Sequence, residues 1–233
     1  MDTSTPCSSV ALTAGTRQRG EVVAALSITG TLTHSRRLLG AIDWIMTEAG
    51  INWQDITGIG VSLGPGSFTG LRIGMATAKG LAAAADKVLL GVSTLDSLAA
   101  KCVTNRLICS LLDARKQEVY AAFYRCNQRG LTERVCEPVV VPPAKLAASI
   151  DEPVVLVGNG ARIYRDVWQT TLCEKVQFAP AGLHEPSATS LGFLAGELLE
   201  KGQLLDLAEG TPLYVRSSDA ELNLIKKQSQ QAA

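Results

Sequence analysis

The chain has 233 residues, 46% apolar and 19% charged, with 22 Lys plus Arg balanced by 22 Asp plus Glu. The apolar content excludes intrinsic disorder. The lack of a basic excess argues against a protein that holds nucleic acid unaided, because phosphate neutralisation dominates that affinity.

Length over about 150 gives one to two domains. Residues 2–27 predict a β-hairpin, with runs Ser8–Thr13 and Glu21–Ser27 on either side of a polar, glycine-bracketed turn. A helix is predicted from Thr33, as N-cap, to Ala49, with Leu38, Ile42 and Ile45 at helical spacing and Gly50 at its stop. Ile56–Leu63 predicts a strand. The loop Gly64-Pro65-Gly66-Ser67-Phe68-Thr69-Gly70 then opens a second helix that runs to Ala85. A strand over Val88–Val92 and a third helix ending near Cys102 complete the first half.

The second half predicts a hairpin over Leu107–Leu112 and Glu118–Tyr124 and one strand over Arg134–Val141. It continues with a helix Ala144–Ile150, a buried strand Val154–Val157 and a helix Ile163–Trp168. A strand Val176–Phe178 and a helix Ser187–Glu200 follow. Each half thus reads strand-strand-strand-helix-strand-helix-strand-helix. The expected architecture is α/β, two lobes each with a mixed sheet and packed helices. The expected division is 1–103, 104–216 and a polar tail 217–233.

Metal and nucleophile chemistry find little support. Six cysteines contain no Cys-x-x-Cys pair, and His34 and His184 are the only imidazoles. The cysteines read as reduced thiols. Neither His is paired by sequence with a nucleophile or an acid. No basic-then-apolar leader and no window of about 18 apolar residues is present, so the expectation is a cytoplasmic protein with no membrane contact.

Three features are candidates for function. Glycines 64, 66 and 70 between a strand and a helix could cradle an anion. However, Pro65 has no N–H, and the spacing is neither a dinucleotide fingerprint nor a Walker A loop. The helix after them is rich in Gly and Ala and apolar nearly all round, so it must be buried on more than one side. Its second neighbour is either the Thr33–Ala49 helix or another subunit, with plain core as the simpler account. Asp2-Thr3-Ser4-Thr5 and the turn holding Asp113, Arg115 and Glu118 fit metal- or phosphate-holding turns, or simply an Asx turn and solvated charges. They form a site only if they face each other.

The stretch Leu63–Gly74, with Arg72 inside it, resembles the bacterial TsaB (YeaZ) family. So do Ala78–Ala82, Gly91–Leu95, Asp113–Arg115, Glu118–Tyr120, Pro212, Tyr214, Arg216, His34-Ser35 and the opening Asp2–Thr5. The resemblance implies an actin-like (RNase H-like, ASKHA) fold and a part in making threonylcarbamoyladenosine beside the tRNA anticodon. It implies a pseudo-enzyme that pairs with the catalytic paralogue TsaD and the ATPase TsaE, and forms a homodimer in their absence. It touches tRNA only indirectly, with no metal and no cofactor bound by this chain alone; ATP or ADP would sit at the complex junction. The shared surface would be the first two helices, through Leu38, Ile42, Met46, Leu71, Met75, Ala78, Lys79 and Ala82. Aligned on Gly91-Val92, the paralogue's two metal-binding histidines correspond to Thr94 and Leu98. Asp2, Thr3, Ser4, Asp113, Arg115 and Glu118 would be vestigial nucleotide turns.

One departure is that family members carry several apolar residues before the first-turn Asp, where this chain has Met1 alone; the expectation is a native start slightly upstream. The competing readings are an ATP-dependent small-molecule kinase or ATPase of the same fold, which needs intact phosphate turns, and a peptidase, which needs an assembled nucleophile and base.

Overall fold

A computed structural model describes residues 1–30, 34–213 and 215. The expected N-cap Thr33, the motif residues Tyr214 and Arg216, and the tail 217–233 lie outside the described residues. The first half contains β1 (Cys7–Gly15), β2 (Gly20–Thr29), α1 (His34–Ala49), β3 (Gly58–Gly64), α2 (Phe68–Ala85), β4 (Val88–Ser93) and α3 (Thr94–Ala99). The second contains β5 (Leu107–Arg115), β6 (Glu118–Cys126), β7 (Thr132–Arg134), β8 (Val139–Val141), α4 (Pro143–Ala148) and β9 (Val154–Val157). It ends with α5 (Asn159–Ile163), α6 (Arg165–Leu172), β10 (Val176–Phe178) and α7 (Ala188–Glu200).

In the first half, β1 and β2 pair antiparallel, and β3 and β4 pair parallel. Residues 1 and 2 lie between these two pieces. The α-nitrogen of Met1 donates to Gly60 O at 2.7 Å, and Ser62 N donates to Met1 O at 3.2 Å. Asp2 exchanges two backbone bonds with Ser9 of β1. A two-residue segment therefore joins an antiparallel hairpin to a parallel pair. The second half has a continuous mixed sheet in the order β10-β9-β5-β6-β7, with β8 also on β6.

The helices bury the faces that their spacing predicts. Leu38, Ile42, Ile45 and Met46 of α1 pack with Val10, Leu12, Ala24 and Leu26 of β1 and β2. On α2, Met75, Ala78 and Ala82 pack with Ile59, Val61 and Leu89. Ser67 caps this helix by accepting from Gly70 N at 3.3 Å, and Asp86 ends it in the left-handed region (φ 52°).

Packing crosses the expected 103/104 boundary twice. Leu95, Leu98 and Ala99 of α3 pack with Ile108, Leu112, Ala122, Tyr124, Val155 and Val157 of the second sheet. Leu191 and Ala195 of α7, from the far end of the chain, pack with Leu90 and Val92 of β4. Each layer is thus covered by a helix from the other half. Sequence order cannot reveal such an exchange, because it depends on which sheet face lies nearest.

Three expected elements differ. The first half has two strands, not three, before its first helix. The single strand expected over Arg134–Val141 is two, β7 and β8. Between them Pro138 offers no N–H, and Phe123 N donates to the Cys136 sulfur at 3.4 Å instead of to a carbonyl. The helix expected over Ile163–Trp168 is split at Tyr164, whose backbone (φ −105°, ψ 28°) separates α5 from α6.

Candidate functional site

The two turns singled out from sequence border one cleft of about 540 Å³. Ser4 and Thr5 come from the first turn and Asp113, Arg115 and Lys116 from the second. Pro65, Gly66, Ser67, Phe68 and Thr69 of the glycine loop form the wall between them. Asp2, Thr3, Glu118, Gly64, Gly70 and Arg72 lie outside its lining. Arg72 instead covers the Phe68 ring, its guanidinium carbon 3.9 Å from the centroid.

Apart from Asp2 Oδ2, which is buried without a hydrogen-bond partner among the described residues, the first turn spends its side-chain polar groups within the chain. Asp2 Oδ1 accepts from Ser4 N at 3.0 Å and Ser4 Oγ at 2.8 Å. Thr3 Oγ1 donates to Gly70 O at 2.7 Å, and Ser4 O accepts from Ser67 N at 2.7 Å. Thr5 Oγ1 accepts from Cys7 N and donates to Glu185 Oε2 at 3.4 Å. Burial pushes the Asp2 carboxyl above the ordinary carboxylate range, with the Ser4 bonds opposing that shift. This is an Asx turn latched onto the glycine loop, the plainer of the two readings.

The latch also accounts for two of the helix glycines. A Cβ on Gly70 would collide with Thr3 O, and one on Gly74 with Thr3 Oγ1. These positions stay small because residues 3 and 4 cross α2 closely, not because a second helix does. Only Gly80 of the helix has open space around it.

The second turn is built by Arg115, Lys116 and Gln117, all at positive φ. Asp113 Oδ1 accepts from Arg115 N at 3.0 Å and from Tyr164 Oη at 2.9 Å, while Asp113 N donates to Asn159 Oδ1 at 2.9 Å. Burial and this carboxylate push the Tyr164 phenol up to about 12. Sequence reasoning missed Asn159 and Tyr164; the Gly158-Asn159-Gly160 run after β9 was the available signal. His184 is structural. Its Nδ1 lies 3.0 Å from Gly158 O and 3.2 Å from Gly158 N, and its Nε2 faces Ala179 O at 2.9 Å. The side chain of His34 lies outside the described residues.

Of the residues expected to meet a partner, Leu38, Ile42, Met46, Leu71, Met75, Ala78 and Ala82 are buried in the chain's own core. Lys79 is half-buried and donates from Nζ to Ala208 O at 2.9 Å. The outer surface of the same helices carries Leu39, Asp43 and Trp44 on α1 and Ala76, Gly80 and Ala83 on α2. Leu39 is 56% exposed and Trp44 53%, so two large apolar side chains of α1 stand in water. The expected list selected the inner face because α2 has too few polar residues to mark which side is out.

Thr94 and Leu98, at the places of the paralogue's metal-binding histidines, are both fully buried. Among the described residues no three His, Cys, Asp or Glu come together as a metal set.

Comparison with known proteins adds four findings. The family described as "TsaD: tRNA N6-adenosine threonylcarbamoyltransferase" matches residues 30–224. The tRNA threonylcarbamoyladenosine biosynthesis protein TsaB of Bacillus subtilis is 32% identical over 199 residues, covering 84% of this chain and 85% of that protein. The Escherichia coli protein of the same name is 30% identical over 196 residues, covering 80% and 82%. Among solved structures, YeaZ from Pseudomonas aeruginosa superposes with a TM-score of 0.74 at 29% identity, covering 91% of this chain and 96% of that one.

Proposed function

The chain belongs to the TsaB family of tRNA threonylcarbamoyladenosine biosynthesis proteins, and we propose that it serves there as a scaffold without chemistry of its own. In this reading it pairs with the transferase TsaD, is joined by the ATPase TsaE, and associates with a second copy when they are absent. The contact surface is the outer face of α1 and α2. The observation that carries the reading is the exposure of Leu39 and Trp44 on α1 and of Ala76, Gly80 and Ala83 on α2. A water-exposed aromatic together with exposed small residues is the composition of an interface centre.

The internal bonds of Thr3, Ser4, Thr5 and Asp2 Oδ1 support the non-catalytic part, since of the side-chain polar atoms of this turn Asp2 Oδ2 is the one left without a partner among the described residues. The cleft keeps the ATPase reading alive, because Arg115 and Lys116 border it. In this proposal nucleotide acts at the junction of the assembled complex, not in the isolated chain.

Light scattering on a sizing column decides the matter, first on the chain alone and then mixed with its TsaD paralogue. A stoichiometric heterocomplex that restores tRNA modification, with no ATP turnover by the isolated chain, is the expected result. A folded chain that ignores the paralogue, or that hydrolyses ATP alone, overturns the proposal.

A further inference from the structure

A second groove, of about 780 Å³, shares no lining residue with the cleft. Its walls come from the β1–β2 turn, the segment after α3, the β6–β7 connection and the first turns of α7. Arg17 ties three of these elements together. Its Nε and Nη2 donate to the two carboxylate oxygens of Glu197 at 2.7 and 2.9 Å. Its Nη1 reaches Thr132 O and Oγ1 at 3.2 and 3.1 Å. The β6–β7 connection is fixed as well, because Asn127 Oδ1 accepts from both Arg129 N (2.9 Å) and Leu131 N (3.1 Å). The groove is therefore held open before anything enters it, which lowers the ordering cost of binding.

Its chemistry is one-sided. Val103, on the rim, is 79% exposed, and Leu131 and the half-buried Phe193 supply further apolar wall. Among the described residues no Asp or Glu lines the groove. Glu197 balances Arg17, so Arg129 sets the sign of the local charge. Thr189 and Ser190 add hydroxyls at the positive end of the 13-residue α7.

We propose that this groove takes an extended peptide segment of a partner protein in which a carboxylate side chain adjoins a bulky apolar one. The carboxylate meets Arg129 and the hydroxyls of Thr189 and Ser190, and the apolar side chain covers Val103, Leu131 and Phe193. Nucleic acid fits less well, because a single unbalanced cation neutralises too few phosphates to hold it. A small free anion would leave the apolar walls unused. The proposal stands apart from the α1–α2 surface and does not depend on it.

A random-peptide phage library selected on the full chain, with counterselection on Val103→Asp, tests this. The enriched clones should carry Asp or Glu beside Phe, Leu or Ile. A labelled peptide of that consensus should saturate in fluorescence polarisation and weaken roughly tenfold or more with Val103→Asp, with Arg129→Glu, and when its own acid is changed to the amide. Both positions are exposed, and unchanged melting curves verify that both variants fold. Three results overturn the proposal: no clone surviving counterselection, enriched clones without an acid, or a short oligouridylate that displaces the peptide more tightly than the peptide binds.

Discussion

The two layers of the molecule solve the same packing problem with different means. The second is a continuous sheet whose core, around Trp168, Leu111, Val119 and Leu156, is drawn from one stretch of chain. The first is two short ladders joined by Met1 and Asp2 and covered on one side by α7, which arrives from residues 188–200. The second layer borrows only the sequence-adjacent α3, whereas the first is completed by distant chain, so damage to them should spread differently.

The largest effect is expected at Trp168, which is fully buried and donates from Nε1 to Gly160 O at 3.1 Å. Trp168→Ala should cost about 3–5 kcal/mol, read by urea denaturation, and should melt the second sheet along with α3. Leu191→Ala probes the borrowed helix and should cost about 2–5 kcal/mol. Hydrogen exchange should then speed up in β3 and β4 while β5, β6 and β9 keep their protection. Equal acceleration in both sheets would break the comparison.

A pair of glycines sharpens it further. Gly74→Leu forces a side chain into Thr3 and should destabilise the fold by about 1–3 kcal/mol. Gly80→Leu meets open space and should change stability by no more than about 0.5 kcal/mol, while association through the α1–α2 face is lost. Light scattering and melting curves separate the two outcomes, and association unchanged in Gly80→Leu moves the interface elsewhere.

The smallest effect is a pH dependence at His184. Burial lowers its pKa below the ordinary 6.5, outweighing the bonds to Gly158 and Ala179. The unfolded chain then binds the proton more readily, so this contribution to stability is complete above about pH 6.5 and is lost as pH falls toward the folded-state pKa. Denaturation midpoints at pH 7.5 and 5.5 should differ by less in His184→Gln than in the parent chain.

Much of this was legible from residue order. The periodicity of α1, the Ser67 cap and glycine loop before α2, and the hairpin turn at Asp113 are local signals, and the structure bears them out. That the two polar turns share a cleft was stated only as a condition, since their meeting is tertiary. The exposed side of α2 was unreadable because few polar residues mark a solvent face. Gly70 and Gly74 looked like a helix contact, yet their reason lies in Thr3, some 70 residues earlier in the chain. The break at Pro138 was visible in principle but outweighed by the β-branched residues around it.

The exchange of α3 and α7 has a consequence for how the protein is made. A ribosome delivers β1 to β4 first, but Leu90 and Val92 stay uncovered until residues 191 and 195 emerge. The sheet drawn from residues 107–178, together with α3, needs only the few residues up to His184 to complete its core. The portion translated first is therefore the last to be finished, and the nascent N-terminal half is the stretch most in need of protection during synthesis.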